Sequence, residues 1–141
     1  EAMTRQAMLA GREARLLHVA THSGGGPTGP WLRLADGDLM AREVLAEGLA
    51  PELVMLASCA SATRRGLGTW GSLGAAFLAS GSEHVVAALW SIDDAATARL
   101  VTRFYQHDWE EPSRALAAAQ RAAIEAGEPP AAWAPFVVLG R

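Results

Sequence analysis

Residues 53–59 read Leu-Val-Met-Leu-Ala-Ser-Cys, an apolar run that stops on the only cysteine of the chain. A similar run, Leu16–Thr21, ends at His22 and is followed by Ser23 and three glycines. Short runs rich in valine and leucine are typical of strands buried on both faces of a parallel sheet. Functional side chains lie just past the carboxyl ends of such strands. The sequence therefore predicts an imidazole and a thiol at one edge of a sheet.

Strand and helix patterns alternate along the rest of the chain. Helices are predicted over about residues 1–11, 39–47 and 70–80, and again after residues 93 and 112; further strands are predicted over 84–90 and 135–139. Asp38 is the expected cap of the second helix, and Ile124 is expected on the buried face of the last one. Ser23–Pro30 holds four glycines and two prolines and is predicted to be a loop. The alternation predicts one α/β domain with a mostly parallel sheet covered on both faces.

Composition narrows the class of partner and the compartment. The net charge is −3 and offers no basic surface for nucleic acid or for an acidic membrane. No apolar run approaches the roughly 18 residues of a membrane span. A single cysteine cannot form an internal disulfide, which favours a reducing cytoplasm. All twelve basic residues are arginine, a bias that we interpret as that of a high-GC bacterial genome.

Cys59 and His22 are the residues with the clearest chemical potential. A cysteine nucleophile reacts as its thiolate, which a neighbouring imidazole can hold at neutral pH. The backbone N–H groups of Cys59 and of Ser23 or Gly24 are candidates to bind an oxyanion. The alternative is that Cys59 is a small buried hydrophobe and His22 an exposed loop residue. His18 lies inside the first strand and is expected to be a hydrogen-bonded core residue.

Two further kinds of site lack support in the sequence. No spacing of Cys, His and carboxylate residues predicts a metal site. The glycine-rich segment 24–29 lacks the Lys-Ser/Thr ending of a phosphate loop, because the chain has no lysine. The hypothesis of a nucleotide-binding domain is therefore weak.

The chain resembles the CHAT domain, a caspase-like peptidase domain that is often joined to tetratricopeptide repeats in bacteria. The matching segments fall in order over nearly the whole chain, at residues 16–22, 34–37, 41–45, 53–59, 76–81, 85–97, 104–105, 115–120 and 133–140. The resemblance implies a three-layer αβα caspase-like fold with His22 as general base and Cys59 as nucleophile. It also implies a first strand before residue 1, so that residues 1–141 would be the C-terminal portion of the domain, including both catalytic positions.

The resemblance implies a cysteine endopeptidase that cleaves a protein substrate and needs no metal or organic cofactor. Such a peptidase would be a regulated effector of signalling or defence, with a sensor or repeat domain in the parent chain or a partner chain. Two positions depart from the family: Ser23 stands where glycine usually follows the histidine, and Ala60 stands where an acidic residue usually follows the cysteine. These departures keep open the alternative of an inactive caspase-like module that only binds a partner.

Substrate selection in caspase-like peptidases depends on loops at the carboxyl edge of the sheet. Asp93 and Asp94 follow the strand that ends at Trp90 and are placed to favour a basic side chain before the scissile bond. Trp90 is a further candidate to line the substrate pocket. The alternative for the two aspartates, which we favour, is that they cap the N-terminus of the next helix.

Overall fold

The computed structural model describes residues 3–57, 72–91 and 93–140. The main sheet has four strands in the order β1 (Leu16–Val19), β5 (Leu53–Leu56), β6 (His84–Ala88) and β7 (Phe136–Gly140). The first three run parallel, and β7 is antiparallel to β6. The prediction of an α/β fold with a mostly parallel sheet is confirmed.

Helices cover both faces of this sheet. α1 (Arg5–Ala10), α2 (Ala41–Ala46) and α3 (Leu73–Ser80) pack on one face; α4 (Asp94–Tyr105) and α5 (Pro112–Glu125) pack on the other, and the single turn α6 (Pro130–Trp133) precedes β7. Two hydrophobic cores result, one on each face of the sheet. In β5, Val54 and Leu56 belong to the core under α1–α3, and Leu53 and Met55 belong to the core under α4 and α5, because successive side chains of a strand point to opposite faces. Each of these four is at most 2% exposed. Burial of each such side chain stabilises the fold by about 1.5–3 kcal/mol, and β6 contributes to both cores in the same way.

A second, smaller sheet follows β1 directly. It consists of β2 (Ser23–Gly26), β3 (Gly29–Leu34) and β4 (Gly37–Met40), all antiparallel. The prediction that Ser23–Pro30 is a loop is therefore wrong. Pairing with β3 holds the glycines extended, although glycine alone has little preference for a strand.

The prediction that Asp38 caps a helix starting at Leu39 is also wrong. Leu39 is fully buried within β4, where it pairs with Leu32 of β3. This burial keeps the chain extended at a position where a helix was expected. Asp38 instead forms an ion pair with Arg33 across the hairpin, at 2.6 Å. α2 begins at Ala41, where the Glu43 carboxylate accepts a hydrogen bond from the Met40 N–H at 2.7 Å.

Two helices differ from expectation in detail. The prediction that Ile124 lies on the buried face of α5 is wrong, because its side chain is 52% exposed. Ala123 takes the sheet-facing position, and each step along a helix turns the side chain by about 100°. α1 begins at Arg5, where the Thr4 hydroxyl caps the helix by accepting a hydrogen bond from the Ala7 N–H at 3.2 Å. Trp70, the expected start of the helix now observed as α3, lies outside the described residues.

Candidate functional site

The carboxyl ends of β1 and β5 lie side by side, as the sequence predicts. Val19 is the register partner of Leu56, and the Ala57 N–H donates a hydrogen bond to the Val19 carbonyl at 2.9 Å. His22 follows Val19 by three residues. Cys59 lies outside the described residues, two positions beyond Ala57 in the sequence. The structure therefore shows that the two strands leading to His22 and Cys59 are neighbours, while the thiol–imidazole pair itself stays a prediction.

The backbone of His22 is held by the small sheet, and its side chain is exposed. Its carbonyl accepts a hydrogen bond from the Arg33 N–H at 2.8 Å, which extends the β2–β3 ladder by one pair. The Thr21 hydroxyl donates to the Arg33 carbonyl and adds a second anchor. A fixed backbone with an exposed imidazole suits a group that must meet a ligand from solvent.

The ladder also distinguishes the two candidate oxyanion donors. In an antiparallel pair, bonded and non-bonded residue pairs alternate. Because His22 and Arg33 are bonded, the Gly24–Trp31 pair is bonded as well, and the Gly24 N–H faces β3. The N–H of Ser23 faces away from β3. The N–H of Gly24 is therefore engaged in the ladder with β3.

Trp31 explains why residue 24 is glycine. Its indole lies across the backbone of Gly24, and a Cβ atom built at Gly24 would come within 2.4 Å of Trp31 Cζ2. The guanidinium carbon of Arg33 also lies over this ring, 5.2 Å from its centroid. Trp31 therefore packs on the segment that follows His22 and restricts its position. The sequence did not predict this contact between Trp31 and Gly24. The alternation of Trp31-Leu32-Arg33-Leu34 before the Asp36-Gly37 turn does predict an extended segment and a turn, and β3 confirms the extended segment.

A cavity of about 470 Å³ opens beside His22 on the α4 face of the sheet. Its lining includes His18 of β1, the three residues 20–22 just past β1, Ala57 just past β5, and Asp94, Thr97 and Val101 of α4. Ala57 is the last described residue before Cys59. One wall is thus apolar, and Asp94 is the acidic residue among the described residues that line the cavity.

His18 is not the core residue that the sequence predicts, because its side chain is exposed on the α4 face of β1. Its ring packs against Tyr105, with the centroids 5.6 Å apart. The partial desolvation lowers the pKa of His18 below its ordinary 6.5, so the imidazole is neutral at pH 7. Burial raises the pKa of Tyr105 to about 12. Both rings therefore contribute neutral surface to this side of the site at physiological pH.

The two aspartates have different roles. Asp93 caps α4, since its Oδ1 accepts a hydrogen bond from the Ala96 N–H at 3.0 Å, which confirms the helix-cap interpretation for this residue. Asp94 lies in the first turn of α4, is exposed, and lines the cavity. Trp90 is 45% exposed and is not among the described residues that line the cavity.

Two other kinds of site are absent from the described part of the chain. Across residues 3–57, 72–91 and 93–140, no group of three or more His, Cys, Asp or Glu side chains converges as metal ligands. No helix within the same ranges has both the length and the apolar character to cross a bilayer.

The family model of the CHAT domain matches residues 1–141, and the chain belongs to the CHAT-domain family. This family is associated with caspase-like cysteine peptidases. No curated protein matches the sequence.

Gly24→Ala is expected to destabilise the hairpin, because the added Cβ atom meets the Trp31 ring. The cost expected for overpacking is about 1–3 kcal/mol of unfolding free energy, measured by urea titration. Gly26→Ala is the matched control, since a Cβ atom there meets nothing within 4 Å and its φ is not positive. Equal stability of the two variants would contradict the close packing of the Trp31 ring on Gly24.

Proposed function

We propose that this CHAT domain is a cysteine endopeptidase in which His22 is the general base and Cys59 the nucleophile. The observation that carries the proposal is the pairing of Val19 with Leu56 at the sheet edge. His22 and Cys59 each follow one of these partners by three residues. Three residues reach at most about 11 Å, and neighbouring strands lie about 4.8 Å apart, so the chain lengths allow the two side chains to meet.

The reaction proceeds by acyl transfer. His22 accepts the thiol proton of Cys59, and the sulfur attacks the carbonyl carbon of the scissile peptide bond. The C–N bond then breaks, and the imidazolium returns the proton to the leaving nitrogen. Water, deprotonated by His22, hydrolyses the thioester and frees the thiol. The backbone N–H groups of Cys59 and Ser23 stabilise the oxyanion in both steps.

Asp94 supports a preference for a basic side chain before the scissile bond. Its carboxylate lines the same cavity as His22, whereas the Asp93 carboxylate is committed to the α4 cap. A lysine or arginine side chain entering the cavity along its apolar wall would bring its charge to Asp94. The substrate is a protein, and we expect its cleavage to be regulated in the cytoplasm by a sensor or repeat domain of the parent or a partner chain.

An acyloxymethyl ketone peptide with arginine next to the reactive carbonyl should label the parent protein covalently at Cys59. Cys59→Ala is expected to abolish this labelling, and His22→Gln is expected to slow it. Loss of the general base lowers the rate by about 10²–10⁴-fold at pH 7. The measurement is labelling monitored by intact-protein mass spectrometry. His107→Gln is the matched control, because His107 is exposed just past the end of α4.

The outcomes separate the peptidase from a binding module. Labelling of Cys59 that is unchanged in His22→Gln would contradict the role of His22. Absence of any labelling of the parent protein, together with absence of cleavage of an arginine-containing peptide library, would instead support the inactive interaction module.

Asp94→Asn is expected to reduce the preference for arginine over leucine in the same probe by about two- to fivefold, the size of a solvated ion pair. Asp93→Asn removes the same charge and keeps a good helix cap, so its preference should equal that of the parent. The measurement is the ratio of labelling rates for the two probes. Equal ratios in Asp94→Asn and Asp93→Asn would contradict the role of Asp94.

A further inference from the structure

The strand β2 starts directly after His22, and at Gly25 its edge away from β3 has no pairing strand among the described residues. Among the described residues β2 pairs only with β3, and Gly25 and Gly26 are exposed. The alternation that turns the Gly24 N–H toward β3 turns the N–H and C=O of Gly25 away from it. Pro30, the partner of Gly25, has no N–H to give, which agrees with a non-bonded pair. The open edge thus offers the donor and acceptor of Gly25 to a ligand.

The fold itself gives no reason for glycine at positions 25 and 26. A Cβ atom at either position would meet nothing within 4 Å, and neither residue has a positive φ. Glycine in a strand costs about 0.5–1 kcal/mol relative to alanine. At Gly24 the Trp31 ring accounts for this cost, but at the next two positions no described residue does. Glycine inside a strand often marks the close approach of another backbone.

The edge also lacks the features that normally block strand pairing. Edge strands are commonly protected by charged side chains, proline or a bulge. Ser23–Gly26 contains no charged residue and no proline, and its register with β3 is uninterrupted. An unprotected edge of this kind is where extended peptides add as an extra strand.

We infer that the open edge of β2 binds the segment of the substrate that follows the scissile bond, as an added strand of the small sheet. The inference rests on the proposed function, in which His22 protonates the leaving nitrogen and so lies on the side of that segment. β2 runs away from His22, and the segment after the scissile bond also runs away from it, so the two strands are parallel. Gly25 supplies the backbone hydrogen bonds, and the absent side chains allow the peptide to lie close.

Gly25→Pro tests this directly, because it removes the outward N–H without touching the β2–β3 bonds. Two substrates share the residues before the scissile bond; one ends in an aminocoumarin leaving group and the other continues for four residues. For the extended substrate kcat/KM should fall about fivefold, the effect of losing one hydrogen bond. For the aminocoumarin substrate it should change less than about twofold by the same reasoning. Gly25→Ala keeps the N–H but adds a Cβ atom, so it should lower kcat/KM for the extended substrate less than Gly25→Pro does and should leave the aminocoumarin substrate unaffected.

A second measurement avoids any change at Gly25. In the Cys59→Ala variant, exchange of the Gly25 amide hydrogen should slow on addition of the extended peptide and not on addition of a peptide that stops at the scissile bond. Equal losses for both substrates in Gly25→Pro, or no protection of the Gly25 amide, would overturn the inference while leaving the peptidase intact. If the parent cleaves neither substrate, the proposed function fails and the inference fails with it.

Discussion

The parallel pairing of β1 with β5 is the constraint on which the candidate site depends. β5 contributes to both cores, and β1 is joined to it by four register pairs and by the hydrogen bond from Ala57 to Val19. Sliding β1 by one residue would move Leu17 and Val19 to the other face of the sheet, at the cost of their burial. The same burial that fixes the register therefore fixes how far the chain after Val19 stands from the chain after Leu56.

The small antiparallel sheet then fixes the segment that comes after His22. The Trp31 ring contacts both Gly24 and the Arg33 guanidinium, and the Arg33 backbone N–H donates a hydrogen bond to the His22 carbonyl. The glycine-rich segment is thus extended because a neighbouring strand and an aromatic ring hold it there. In the proposed peptidase this arrangement divides the substrate: Asp94 contacts the side chain before the scissile bond, and the edge of β2 pairs with the backbone after it.

The main sheet could be predicted from the sequence because its strands are buried and appear as apolar runs, two of which stop at His22 and Cys59. Helix ends set by local hydrogen bonds, such as the Asp93 cap of α4, were also visible. The hairpin was not, because Ser23–Gly26 has no strand propensity and depends on contacts with a segment further along the chain. Asp38 resembles a helix cap in the sequence, but Leu39 is needed in the core and keeps this segment extended. His18 resembles a core residue because its neighbours Leu17 and Val19 are buried, although it points to the opposite face.

The central claim is that the register of β1 and β5 brings the His22 imidazole to the Cys59 thiol. The most direct measurement is the pH dependence of alkylation of Cys59 by iodoacetamide, which is unambiguous because the chain has one cysteine. An imidazole partner should lower the apparent thiol pKa well below its ordinary value of about 8.5, and His22→Gln should return it toward that value. An apparent pKa near 8.5 that is the same in the parent and in His22→Gln would contradict the account.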